Sequence, residues 1–233
     1  MEKKETKHVP HKQETHTVHH RRIVSPTQKA FNLWGIIVIV WAFYRSTIGA
    51  NSPMSFDEFI FKPVVFLWPV LYYIKAIEHK TWKTGIWLST ERLKSHSKFA
   101  LLVAAPLIIF AFYIGSFTKT SLGLEQTLYF MILAVFISIT EETLSRGFVA
   151  RHIWDETQGL FKTVFQASIL HMFLRIPRIM TMPELFGQKL IIYFLAELLL
   201  SFVLTIVFLY KKSLVPVYIL RVAATFTLLV LMT

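Results

Sequence analysis

The sequence predicts an all-α, polytopic transmembrane helical bundle of about seven spans, and three observations carry that prediction. Hydrophobic residues make up 54% of the 233, phenylalanine alone contributing 21, and mean hydropathy is +0.51. Several apolar runs approach the length of about 20 residues at which a helix crosses the hydrocarbon layer. Lysine and arginine gather in the segments between those runs, where they set the orientation of a membrane protein. The formal net charge of +11 is therefore read as topology, and nucleic acid is not expected as a partner. Cysteine is absent, which excludes disulfides and thiolate metal sites.

Residues 1–29 are polar, lack hydrophobic periodicity and read as a disordered, basic cytoplasmic tail. The tail holds His8, His11, His16, His19 and His20. Such a tract binds metal weakly at best, and without fixed acidic or thiol ligands it reads as a solvated tail. No short apolar core with a small-residue cleavage site follows its charges, so it is not expected to be a cleavable signal. A membrane hairpin and basic loop occupy 30–98. Its spans are 30–44, closed by Arg45, and 59–74, where Pro63 and Pro69 predict a kink. Asp57 and Glu58 fall in the connection between them. The loop at 75–98 carries Lys75, Lys80, Lys83, Arg92, Lys94 and Lys98. A core of five spans fills 99–233: 99–117, 128–149, 160–174 ending towards Pro177, 190–210 with Glu197 inside it, and 214–232 with Arg221 inside it. Counting Lys and Arg in the short loops places the N-terminus in the cytoplasm, with Arg175 and Arg178 left on the opposite side.

The fourth span holds the stretch that matters most, Ser138-Ile139-Thr140-Glu141-Glu142-Thr143-Leu144-Ser145-Arg146-Gly147. Charges at membrane depth are expensive and mark function by default. At about 100° per residue, Ser138, Glu141, Glu142, Ser145 and Arg146 share one stripe, and Glu142 can pair with Arg146 across one turn. Glu141 sits one step round and is expected to remain unpaired, as a general base would. The competing reading is a salt-bridged helix end. Depth gives an independent test. At 1.5 Å per residue, Glu141 lies roughly 15 Å from Arg151, His171 roughly 14 Å from Lys162, and Arg221 roughly 14 Å from Lys212. Polar groups at matching depth on three helices should converge, because lipid offers them no partner.

Glu141-Glu142-Thr143-Leu144-Ser145-Arg146-Gly147 resembles the Glu-Glu-x-x-x-Arg motif of the CAAX-protease and bacteriocin-processing family, intramembrane endopeptidases that include the type II CAAX prenyl endopeptidases. The resemblance runs from about residue 99 to 233. It implies a second motif, Phe-x-x-x-His, for which this chain has Ala167 and His171. It implies a third, His-x-x-x-Asn, where Arg221 and Thr225 stand instead. Ser201 and Thr205 match a pair of small residues that lets helices approach closely. By this resemblance Glu141 and His171 activate water for attack on a peptide carbonyl. Arg221 is then either a cationic oxyanion donor or a clamp on Glu141.

The expected function is an intramembrane endopeptidase with Glu141, Glu142, Arg146, His171 and Arg221 in its site, acting on a membrane-embedded or lipid-anchored protein. No cofactor is expected. Zinc or another divalent metal favours three or four donors, and beyond His171 only Glu141 and Glu142 remain in reach, so a bound metal is not expected. Two rivals stand beside it. One is a catalytically impaired relative serving as a membrane scaffold or immunity protein. The other is a small transporter with a buried proton path, which would be expected to show paired half-sequences; none is visible. Glu197 is expected to pair with Arg221 or to face a wet cavity.

Overall fold

The structure is a computed structural model that describes residues 25–49, 52–88, 93–117, 123–180 and 187–231. Most of the predicted tail, with its five histidines, and Met232 lie outside the described residues. Among the described residues every regular element is helical: α1 (Pro26–Thr47), α2 (Met54–Ala76), the one-turn α3 (Trp82–Gly85), α4 (Leu93–Phe117), α5 (Leu124–Thr157), α6 (Leu160–Ile179), α7 (Gln188–Lys211) and α8 (Val215–Leu231). Within the described residues each predicted apolar run falls on one of the seven long helices, Leu214 alone preceding its helix. By length and apolarity, five of them can cross a membrane: α1, α2, α4, α5 and α7. α8 is apolar but only 17 residues long, and α6 carries His171, Arg175 and Arg178 within its 20 residues.

Several boundaries differ from expectation for local reasons. α2 starts at Met54, so Asp57 and Glu58 leave the predicted connection and become buried helical residues. Pro63 lacks the N–H that a regular turn would use, and α2 answers by widening. Asp57–Phe61 and Pro63–Leu67 both run as π-helix, with Lys62 at their junction. α4 begins inside the predicted loop. α5 continues beyond residue 149 through a wide segment, Thr143–Ala150, immediately after the acid pair. Wide turns inside α-helices recur at functional sites. α6 runs through Pro177 to Ile179.

Two tight turns set the packing. Gln158 takes a left-handed backbone, closes α5 with its N–H on the Trp154 carbonyl, and hands over to α6 through Gly159. Lys212 ends α7 in the same left-handed way, and the Ser213 hydroxyl accepts from the Val215 N–H at the start of α8. α5 and α6 are thus antiparallel neighbours, as are α7 and α8. Leu133, Ala134 and Ile137 of α5 form one apolar cluster with Phe226, Leu229 and Val230 of α8. Leu144, Phe148 and Val149 belong to a larger cluster with Trp41, Phe66, Ile74, Phe208 and Val217. The polar residues of α5 fall between the two. Large apolar side chains cover the outside, Leu102 being 75% and Ile109 66% exposed. That surface suits lipid rather than water.

One end of the bundle gathers the basic segments. Arg151 donates to the Gly85 carbonyl, the Leu214 N–H to the Trp87 carbonyl at 3.2 Å, and the Thr27 hydroxyl to the His152 carbonyl at 2.9 Å. Lys211 lies 4.7 Å from the centre of the Phe99 ring. The start of α1, Gly85, Trp87, Phe99, Arg151 and the α7–α8 turn therefore share one side.

Candidate active site

α5 places Glu141 and Glu142 in the last regular turn before its wide segment, and Arg146 inside that segment. Arg146 pairs with Glu142 at 2.8 Å, as the four-residue spacing predicts. His171 stands twelve residues after the Gly159 turn and Arg146 thirteen before it. The antiparallel helices bring them level, with Arg146 Nη1 at 3.0 Å and Ser145 Oγ at 2.9 Å from His171 Nδ1. Arg221 arrives from α8. Its guanidinium donates to both oxygens of Glu197, at 2.9 and 3.3 Å, and lies 3.6 Å from each of Glu141 and Glu142. Glu141, Glu142, Arg146, His171 and Arg221 therefore meet in one buried layer.

Glu141 is not the unpaired acid that the helical stripe suggests. Lys62 of α2 donates to its Oε1 at 2.8 Å, and Arg175 of α6 lies 2.6 Å from its Oε2. Arg221 is the third cation against it. The stripe could not show this, because both close partners come from other helices. Arg175 and Arg178, expected on the far surface, are interior ion-pair members: Arg175 with Glu141, and Arg178 with Glu58 at 2.9 Å. Their long stems carry the charge back into the bundle, so they carry no weight in the orientation count. Glu197 does pair with Arg221. By rise per residue it lies roughly 7 Å deeper, a gap that the arginine side chain spans.

The residues that sequence reasoning missed are Lys62, Arg175, Glu58 and Arg178. Lys62 left a signal. A lysine four residues after a glutamate within an apolar run, flanked by proline, is itself an intramembrane charge. Its ammonium is shared between Glu58 at 2.7 Å and Glu141 at 2.8 Å, and it lies 5.2 Å from the centre of the Trp41 ring. The same indole donates to the Leu174 carbonyl at 3.2 Å, tying α1 to the site-bearing α6. A separate buried pair closes the α1–α2 junction, where Arg45 and the Tyr44 hydroxyl both donate to Asp57.

Ser201 does more than permit close approach. Its hydroxyl accepts from Arg146 Nη2 at 2.6 Å and its carbonyl at 3.3 Å, while Thr205 donates to the same carbonyl. Thr143 and the Tyr218 hydroxyl are 2.7 Å apart and bind α5 to α8. Thr225 is buried, and its hydroxyl has no hydrogen-bond partner among the described residues. Ala167 is buried behind His171 on the same helix.

Glu141, Glu142 and His171 form no group of metal-holding geometry among the described residues. Lys62, Arg146, Arg175 and Arg221 already crowd the two carboxylates, and a divalent cation would have to displace them against their charge.

A family model described as type II CAAX prenyl endopeptidase Rce1-like matches residues 123–227. The match takes in the acid pair, Arg146, His171, Glu197, Arg221 and Thr225, and it leaves out α1 and α2 with Lys62. No curated protein matches the chain, and no solved structure does. The match to a membrane-protease family model and the five helices long and apolar enough to cross a membrane together make this an integral membrane protein.

Proposed function

We propose that this chain, whose residues 123–227 match the type II CAAX prenyl endopeptidase Rce1-like family model, is an intramembrane endopeptidase cleaving a membrane-proximal bond of an embedded or lipid-anchored protein. The observation behind the reading is the meeting of Glu141, Glu142, Arg146 and His171, from two antiparallel helices, in one buried layer. Glu141 takes the proton of the attacking water. A carboxylate with one cation donating to it and another paired against it has little to offer that proton, so one cation must leave first. Lys62 is suited to leave. It stands outside the matched stretch, on a helix already widened on both sides of it, and Glu58 and the Trp41 face can keep it. Arg175 then remains to hold Glu141 in place. The basic end of the bundle, which includes the start of α1, faces the cytoplasm in this proposal.

A second reading rests on Arg221. At the place of the family's third-motif histidine, this side chain is committed to Glu197, and Thr225 replaces the asparagine. On that reading the chain is a relative without catalysis that serves as a scaffold or immunity protein. Purified protein in lipid vesicles, given a panel of lipid-anchored and transmembrane peptides, separates the two. Cleavage by wild type that is lost in Glu141→Gln supports the endopeptidase. An inert wild type beside an active Arg221→His, Thr225→Asn double variant replaces it with the second reading.

A further inference from the structure

The two nitrogens of His171 are held unequally. Nδ1 lies within hydrogen-bond distance of Arg146 Nη1 and Ser145 Oγ. A guanidinium carries donors and no acceptor, so its bond to Nδ1 requires that nitrogen to be bare. Arg146 cannot turn its donors away. Nη1 also donates to Glu142, and Nη2 is taken up by the hydroxyl and carbonyl of Ser201. The ring must therefore carry its proton on Nε2, since the bond made by one nitrogen sets the state of the other. Nε2 has no hydrogen-bond partner among the described residues, and His171 is 1% exposed. A buried donor left unmade is costly, and this one awaits an acceptor.

We propose that His171 acts through Nε2–H as a hydrogen-bond donor to the substrate carbonyl oxygen and not as a base, with Arg146 the positioning residue that imposes this tautomer. The proposal rests on the endopeptidase reading. Water oxygen bonds to the carbonyl carbon while one of its protons passes to Glu141. The carbonyl π pair moves to oxygen, and the resulting oxyanion is met by Nε2–H. On collapse the C–N bond breaks and the proton on Glu141 goes to the amine nitrogen. His171 keeps its proton throughout, and water is the sole co-reactant. The opposite tautomer would aim an N–H at the Arg146 guanidinium.

The test uses the full chain in lipid nanodiscs with 15N-labelled histidine, His171→Gln identifying the signal by its loss. NMR is expected to show bare Nδ1 and protonated Nε2 at His171 across neutral pH. The preference should be weakened in Arg146→Gln, whose amide oxygen can accept from a protonated Nδ1, and kept in Ser145→Ala. In the cleavage assay, His171→Ala should lose about 10²–10³-fold in turnover, the usual loss for one oxyanion donor. His171→Gln retains an N–H donor and should recover about tenfold or more of that loss. Protonated Nδ1 with bare Nε2, or equal losses in the Ala and Gln variants, overturns the proposal while cleavage itself stands. The expected tautomer in a wild type that cleaves nothing overturns the endopeptidase reading and the substrate role of Nε2–H with it.

Discussion

At the scale of single residues, the site is governed by which charges share partners. Glu197 accepts both its close hydrogen bonds from Arg221, and its next cation, Arg175, is 3.9 Å away. Arg221→Ala should therefore destabilise the protein by about 3–5 kcal/mol, the cost of stranding one member of a buried pair. Arg221→Met combined with Glu197→Leu should recover most of that loss, because an apolar replacement of similar size removes both desolvation costs. Denaturant unfolding in detergent across the double-mutant cycle measures it, and additive losses would show that the two side chains are not a functional pair. The acids of α5 allow a second test. Were Glu141 unpaired, Glu141→Gln would spare stability and Glu142→Gln would not. With Lys62 and Arg175 bound to Glu141, both substitutions should lower the unfolding midpoint. A midpoint unchanged in Glu141→Gln alone would restore the unpaired acid.

Among the elements, α5 depends on a glycine as much as on its charges. A Cβ at Gly147 would stand 2.8 Å from Leu214 Cδ1 and 3.0 Å from Ile86 Cβ, both buried. The wide segment thus lies against the start of α8 and the turn after α3 with no room for a methyl group. Gly147→Ala should destabilise by about 1–3 kcal/mol through overpacking, and it should shift Arg146 relative to His171. Thermal unfolding together with the histidine spectrum reads both. An alanine variant as stable as wild type would mean that the helices part at no cost. The element boundaries carry the same lesson about what is legible. Each predicted apolar run falls on a helix, because lipid-facing stretches declare themselves by composition. The ends differ where a helix continues through a proline or charged residues into the interior, as at Asp57, Glu58 and Pro177.

For the whole molecule, a polar lock at the basic end joins three helices. A cleft of about 480 Å³ there is lined by Thr27, Tyr73, Glu78, Arg151 and His152 among others. Glu78 lies just beyond α2, 2.8 Å from His152 Nε2 and 2.6 Å from Arg151. Burial pushes its carboxyl up, but the hydrogen bonds from His152 and Arg151 and the arginine charge outweigh it, bringing the pKa from 4.5 down to about 2. Between those values the unfolded chain binds more protons than the folded one. The stability from this group is thus complete above about pH 4.5 and is lost as pH falls towards 2. Thermal midpoints in detergent should drop more steeply over that window in wild type than in Glu78→Gln. Parallel curves would show that the lock does not stabilise the fold.

The sequence by itself determined that the chain is a helical membrane protein, which runs are apolar, that Glu142 pairs with Arg146, and that Glu141, His171 and Arg221 lie at one depth. These follow from properties local to one helix: composition, a four-residue spacing and a constant rise per residue. Only the tertiary structure decided that Glu141 is held by Lys62 and Arg175, that Arg221 belongs first to Glu197, and that Arg146 holds His171 at Nδ1. Each of those is a choice among partners on different helices. In a layer where several acids and several bases lie within one side chain's reach, rotation and tilt of the helices select the pairs, and helical periodicity does not encode them.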